Sequence, residues 1–208
     1  MTSFDRTPLL ETSGIVLAGG RSHRFGRDKL AEPLDGRPLL HHAVMTLAGV
    51  CREVIVVAAA DGDLPVLPDD LERRLHLVRD AHPFGGPLAG LLTGLEVAAW
   101  DTVLVIGGDM PRVRPALLRH LAGVLGTTGP EAVVLLDGDT PRSLPLGIRR
   151  DRALHLGLEV VGEERRSLRA LLAELVVAEL DEADWRRFDP AGSSLQDIDR
   201  PEDLDAGR

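Results

Sequence analysis

The chain contains no tyrosine and no asparagine, and a single lysine, Lys29, among its 24 lysine and arginine residues. These three amino acids share AT-rich codons, so their joint shortage points to a GC-rich genome. Under that bias an ordinary surface lysine drifts to arginine, and one that persists marks a position with a specific demand. Aromatic residues make up 3% of the chain, which leaves Leu, Val and Ala to build the core. Cysteine occurs once, as Cys51. An intrachain disulfide is therefore excluded, and a cytoplasmic setting is expected. No apolar run is long enough to cross a bilayer, and "MTSFDRTPLLETSG" lacks the basic-then-apolar order of a secretory signal, so no membrane partner is expected. No nucleic-acid partner is expected either. The net charge is −9 and no long basic run offsets it, whereas a nucleic-acid surface needs clustered cations. A free nucleotide is not excluded, since a few focused cations hold one.

What is present suits one soluble α/β domain: 208 residues, 44% of them hydrophobic and 27% charged. The expected domain runs over 13–208, after a flexible N-terminus at 1–12. Short apolar runs alternate with helical patterns. "GIVLAGG", "EVIVVAAA", "LHLVRD" and "TVLVIGGDMP" read as strands, and "EAVVLLDGD" and "RSLPLGIRR" as two strands able to pair. "PLLHHAVMTLAG", "GPLAGLLTGLEVAAW", "RPALLRHLAGVLG", "RDRALHLGLEVV" and "SLRALLAELV" read as helices, several with Pro in the first turn. "SSLQDIDRPEDL" reads as a short strand, a turn and a helix start. "EADWRRFD" reads as a loop or edge segment with Trp185 packed on the domain, and carries no assigned function. The alternation predicts a three-layer α/β/α, Rossmann-like domain with a mostly parallel central sheet. Ligands of such sheets bind beyond the carboxyl ends of the strands.

Two turns at those ends carry chemistry. In "LAGGRSHRFGRDK", Gly19, Gly20 and Gly26 allow close backbone approach and point N–H groups at an anion, while Arg21, Arg24 and Lys29 add charge. Neither GxxxxGK[ST] nor GxGxxG is present. A solvated surface turn is the plain alternative; the three clustered cations and the solitary lysine favour a phosphate site. In "VLVIGGDMP", Asp109 stands directly beyond a strand, suited either to Mg²⁺ bound on phosphates or to capping the next helix. The histidines show no metal spacing, and Cys51 reads as a small buried residue.

"LAGGRSHRFGRDK" resembles the signature LAGGxSxRMGxDK of the molybdenum cofactor guanylyltransferase family, within the GT-A-like nucleotidyltransferases, with Phe25 at the Met position. "GGDMP", "GPLAG", "RSLPLGIRR", "GEERRSLRALL" and "LQDIDRPEDL" resemble further segments of that family in the same order. The resemblance implies transfer of GMP from GTP to a molybdopterin-type cofactor, with Mg²⁺, giving the guanine dinucleotide cofactor and pyrophosphate. It implies nucleotide contacts at Leu17, Ala18, Gly19, Gly20, Lys29, Asp80, Gly86, Pro87, Leu88, Gly90 and Asp109. Catalytic roles fall on Lys29, Arg24 and Asp109, and metal binding on Asp109 and Asp199. Asp197 stands where the family usually has Asn, and Arg200 where it has Thr. Asp199 is alternatively a cap for the helix start at Pro201. Arg142, Arg149, Arg165, Arg166 and Arg169 are candidates to clamp the acceptor phosphate, with Arg166 and Arg169 singled out. Other cofactor-biosynthesis or molybdoenzyme-maturation proteins are implied as transient partners. The rival readings are a transferase using CTP or another small phosphorylated acceptor, and a catalytically inactive nucleotide-binding regulator.

Overall fold

The computed structural model describes residues 9–19, 29–68, 71, 74–80, 86–162 and 165–204. In chain order the elements are β1 (Leu9–Ala18), β2 (Pro33–Leu34), β3 (Arg37–Pro38), α1 (Leu39–Ala48), β4 (Cys51–Ala59), β5 (Leu75–Asp80), α2 (Gly86–Val97), β6 (Thr102–Gly107) and α3 (Pro115–Leu125). They continue with β7 (Ala132–Asp137), β8 (Thr140–Arg149), α4 (Arg150–Gly162), α5 (Leu168–Leu172), β9 (Val177–Leu180) and α6 (Glu182–Trp185). Short 3₁₀ turns cover Lys29–Ala31, Ser193–Leu195 and Pro201–Leu204. Among the described residues no helix is long and apolar enough to cross a membrane.

Seven strands form one sheet in the order β5-β4-β1-β6-β8-β7-β9. β1 pairs in parallel with β4 and β6, β4 with β5, and β7 with β9. Only β8 runs the other way, antiparallel to both β6 and β7. It does so because Asp137 pairs with Thr140 across Gly138-Asp139, a loop that leaves room for nothing but a reversal. The expected pairing of these two segments is thus a hairpin at the side of a parallel sheet.

The central strands read as unbroken apolar runs because both of their faces are covered. With the two-residue period of a strand, Val16, Val56, Leu104 and Ile106 face α1 and α3, where they meet Leu40, Leu47, Leu117 and Leu121. Their neighbours Ile15, Ile55, Val103 and Val105 face α2, α4 and α5, where they meet Leu88, Leu91, Leu95 and Leu171. Helix starts follow the sequence signals: Pro115 opens α3, and the Ser167 side chain caps α5 by accepting from Ala170 N.

Three expectations need correction. The helix read from "SLRALLAELV" stops at Leu172, and Val177–Leu180, to which the sequence pattern assigns no element, form β9. Its pairing with β7, Ala132 opposite Val177, is a long-range gain that local helix propensity does not register. No strand forms at "SSLQ". Ser193–Leu195 is a 3₁₀ turn held by the buried Asp189 carboxylate, which accepts from Ser194 N at 2.6 Å and Ser193 Oγ at 3.1 Å. Finally, β1 begins at Leu9, so residues 9–12 belong to the sheet and not to a free N-terminus. Trp185 packs as expected, fully buried with Nε1 donating to Leu136 O at 2.9 Å, but it does so from a short helix capped by Asp181.

Candidate active site

β1, β4, β5 and β6 all end on the same side, in register: Leu17 lies beside Gly107, Ala18 beside Ala58, and Ala59 beside Asp80. The last residues of these strands therefore line one rim. Gly108 N donates to Leu17 O at 2.9 Å and ties the acidic turn to the end of β1. Gly107 is needed there, because a Cβ would stand 2.4 Å from Asp109 Oδ1 and would displace the carboxylate. The chain re-emerges from the glycine-rich segment at the turn Lys29–Ala31, where buried Leu30 anchors the backbone in the core.

At this rim the Lys29 ammonium bridges two carboxylates, 2.7 Å from Asp109 Oδ2 and 3.1 Å from Asp199 Oδ1. The three residues come from three distant parts of the chain, 80 and 170 positions apart. Neither aspartate takes the capping role left open for it. Helix α3 is preceded by Arg114, with no side-chain cap, and Arg114 N donates instead to Ser194 Oγ. At the C-terminal turn, Asp203 Oδ2 accepts from Asp199 N and Arg200 N at 2.9 and 2.8 Å. The Asp199 side chain is thereby left for Lys29. Burial works against the charge on Lys29, but the bonds to Asp109 and then Asp199 outweigh it and raise its pKa.

Ile198 explains how Asp199 arrives here. Its side chain is buried with Leu34 and Leu39, and its N–H donates to Asp109 O at 2.9 Å. In an extended segment the alternate residues, Asp197 and Asp199, then face away from that core. Asp197 lies 3.9 Å from Arg142, which also reaches Leu195 O at 3.2 Å and Asp137 at 3.6 Å. Partial burial, followed by the charge of Asp109, pushes the Asp197 carboxyl up to about 6, with Asp199 adding and with Arg142 and Lys29 opposing. The period-two spacing of "DID" is the signal in the sequence that pairs Asp197 with Asp199.

Two oxygen donors fit a hard divalent cation such as Mg²⁺, which binds through one or two carboxylates plus phosphate oxygens and water. Among the described residues no group of three or more His, Cys, Asp or Glu is placed to hold a metal alone. Asp109 and Asp199 would supply only part of such a shell, the rest coming from a phosphate ligand and water.

The remaining candidate residues divide. Leu17, Ala18 and Gly19 stand at the rim, with Gly19 backed against Ala59 N. Gly20 and Arg24 lie outside the described residues. Asp80 ends β5, two strands from β1, about 10 Å along the rim at ordinary strand spacing. Gly86 and Pro87 form the exposed start of α2, whereas Leu88 is fully buried in the core and has only its backbone to offer a ligand. Gly90 lies against Leu17 and Val57, so it packs the helix on the sheet. Gly86 has φ +74, and a Cβ there would stand 2.8 Å from Arg166 O, so the expected base-binding turn abuts the expected acceptor segment. Arg166 and Arg169 are exposed and form no ion pair among the described residues. Arg149 is excluded from this site: it pairs with Asp101 beside Thr102, at the opposite end of β6. Arg165 is tied to Glu174 and to Ala170 O.

The family described as the MobA-like NTP transferase domain matches residues 14–180. A protein of Chloroflexus aggregans named probable molybdenum cofactor guanylyltransferase is 34% identical, over 92% of this chain and 91% of its own length. The crystal structure of molybdopterin-guanine dinucleotide biosynthesis protein A from Archaeoglobus fulgidus superimposes with a TM-score of 0.76 at 23% identity, over 93% of this chain and 95% of that one. The 2-C-methyl-D-erythritol 4-phosphate cytidylyltransferase of Thermus thermophilus has the same fold, with a TM-score of 0.69 at 18% identity over 95% and 96% of the two chains.

Proposed function

The chain belongs to the family of MobA-like NTP transferase domains, and we propose that it transfers GMP from GTP to a molybdopterin-type molybdenum cofactor. The products are the guanine dinucleotide cofactor and pyrophosphate. The observation that carries this reading is the Lys29–Asp109–Asp199 cluster at the carboxyl rim of a parallel sheet. The name of the Chloroflexus aggregans relative supplies the substrates.

A phosphate oxygen of the acceptor attacks the α-phosphorus of GTP, and the bond from that phosphorus to the α,β-bridging oxygen breaks as pyrophosphate leaves. No side-chain nucleophile is required, so positioning and charge stabilisation carry the rate. Lys29, a compact charge on a thin stem, meets the charge that builds up around the α-phosphate. Asp109 and Asp199 would hold Mg²⁺, which when bound neutralises the triphosphate. The rim between Asp80 and Gly86 receives the base, where the Asp80 carboxylate suits guanine because it only accepts and guanine N1 and N2 donate. Arg166, which adjoins Gly86, and the exposed Arg169 face the acceptor phosphate. The setting is cytoplasmic, with proteins of cofactor biosynthesis or insertion as transient partners.

The fold shared with a cytidylyltransferase makes CTP the competing nucleotide. Pyrophosphate release with molybdopterin, Mg²⁺ and either nucleotide tests the assignment. GTP is expected to support turnover and CTP to fail. The Asp109→Asn variant is expected to lose on the order of 10³-fold in kcat/KM. Turnover with CTP above that with GTP overturns the guanine assignment, and no release with either nucleotide overturns the enzyme in favour of a nucleotide-binding regulator.

A further inference from the structure

We infer that Lys29 is the resident counterion of the cation position, so that a divalent cation can settle between Asp109 and Asp199 only when a nucleoside triphosphate draws the lysine away. The inference rests on the reading of Asp109 and Asp199 as metal ligands. It adds an order of events that neither the family nor the fold specifies.

The geometry supports it from three sides. First, the ammonium already stands within bonding distance of both carboxylates, at 2.7 and 3.1 Å. A second cation placed between the same oxygens would be repelled at contact distance in a partly screened site. Second, among the described residues the side-chain partner of both carboxylate groups is this one ammonium, while the backbone donors nearby are satisfied elsewhere: Asp199 N by Asp203 Oδ2, and Ile198 N by Asp109 O. Exchange therefore needs movement of one flexible side chain and no rearrangement of the backbone. Buried Leu30 holds the turn, and a change of rotamer in the Lys29 stem alone would carry the ammonium toward a phosphate. Third, two carboxylates fall short of a metal shell among the described residues, so the free site offers a divalent cation little to offset expulsion of the lysine. A triphosphate changes both sides of that balance, giving Lys29 a new anion and the cation its missing oxygens. By linkage, nucleotide and cation then raise one another's affinity by the same factor.

Mn²⁺ serves as the probe, its free and bound forms separated by electron paramagnetic resonance, with no turnover needed. Wild-type protein is expected to bind Mn²⁺ weakly alone, and far more tightly with the α,β-methylene analogue of GTP. Lys29→Ala and the longer Lys29→Gln are expected to bind Mn²⁺ alone about tenfold more tightly than wild type or better, with the mutual enhancement by nucleotide reduced. Lys29→Arg, which keeps the charge, is expected to stay closed to Mn²⁺ alone. If neither neutral variant binds Mn²⁺ alone more tightly, while wild type takes it up with the analogue, the counterion inference is wrong and the functional reading stands. If wild type takes up no Mn²⁺ even with the analogue, the metal assignment to Asp109 and Asp199 fails and the inference falls with it.

Discussion

At the amino end of the sheet, Glu53 accepts from Ser13 Oγ at 2.7 Å and from Ala99 N at 2.8 Å, with His76 Nε2 at 3.5 Å. Arg74 nearby donates to the carbonyls of Ala48, Cys51 and Arg52, and Glu131 accepts from Val176 N as well as from Arg152. At the carboxyl end, Asp109 and Asp199 meet a lysine side chain, and Asp197 meets an arginine. Both ends of the same strands thus carry paired charges, but Glu53, Arg74 and Glu131 are held by backbone groups, whereas Asp109 and Asp199 meet the tip of one side chain. A charge bonded to the backbone is as fixed as the fold. A charge bonded to the tip of one long side chain can change partners when a ligand arrives. The contrast separates a structural end from a working one, using the same residue types.

The largest effect that sharpens this contrast is expected from Lys29→Arg. A planar guanidinium can still pair with carboxylates but cannot fit between phosphate oxygens as a point charge does. Transfer, followed by pyrophosphate release, is expected to fall on the order of 10²-fold with the melting temperature little changed. Full activity would mean that any cation serves at this position and that its being the one lysine in the chain is accidental.

The amino end should behave in the opposite way. Glu53→Ala leaves the buried Ser13 hydroxyl and the Ala99 N–H without their acceptor, and is expected to cost about 1–3 kcal/mol in denaturant unfolding. Turnover per folded molecule should be unchanged. A loss of kcat without a loss of stability would erase the distinction between the two ends.

The smallest effect concerns Asp197. Burial and the charge of Asp109 push its carboxyl up to about 6 from the ordinary 3.8, so the folded state holds the proton more tightly than the unfolded chain. Its contribution to stability is therefore fully present below about pH 4 and is lost as pH rises through about 6. Asp197→Asn should remove that slope and leave the variant slightly more stable than wild type near pH 7. The gain should be under about 1 kcal/mol, because the side chain is 39% exposed and solvent screens it. Unfolding curves at pH 4, 5.5 and 7 give the difference; a gap that does not widen with pH refutes the assignment.

Much of this was legible in the residues. The strands of the core announced themselves because burial on both faces leaves no polar alternation, and the segments of β7 and β8 read as strands able to pair, though the tight turn at Gly138 that makes them a hairpin comes from the structure. The phosphate turn and Asp109 stood out by their place after strands. β9 did not, since four residues stabilised only by pairing with β7 carry too short a local signature to be read as a strand. Arg149 looked equal to Arg142 in the sequence, yet an antiparallel strand carries its two ends to opposite rims, and only Arg142 arrives at the working one.

Composition and local pattern by themselves determined the class of fold, the apolar strands, the glycine-rich turn and the exceptional status of one lysine, because these depend on neighbours a few residues apart. The tertiary structure alone decided that Lys29, Asp109 and Asp199 share one charge cluster. Closing loops of 80 and 170 residues onto a single ammonium is the work of strand register, of the buried Ile198 and of the bond from its N–H to Asp109 O, none of which is visible in spacing along the chain.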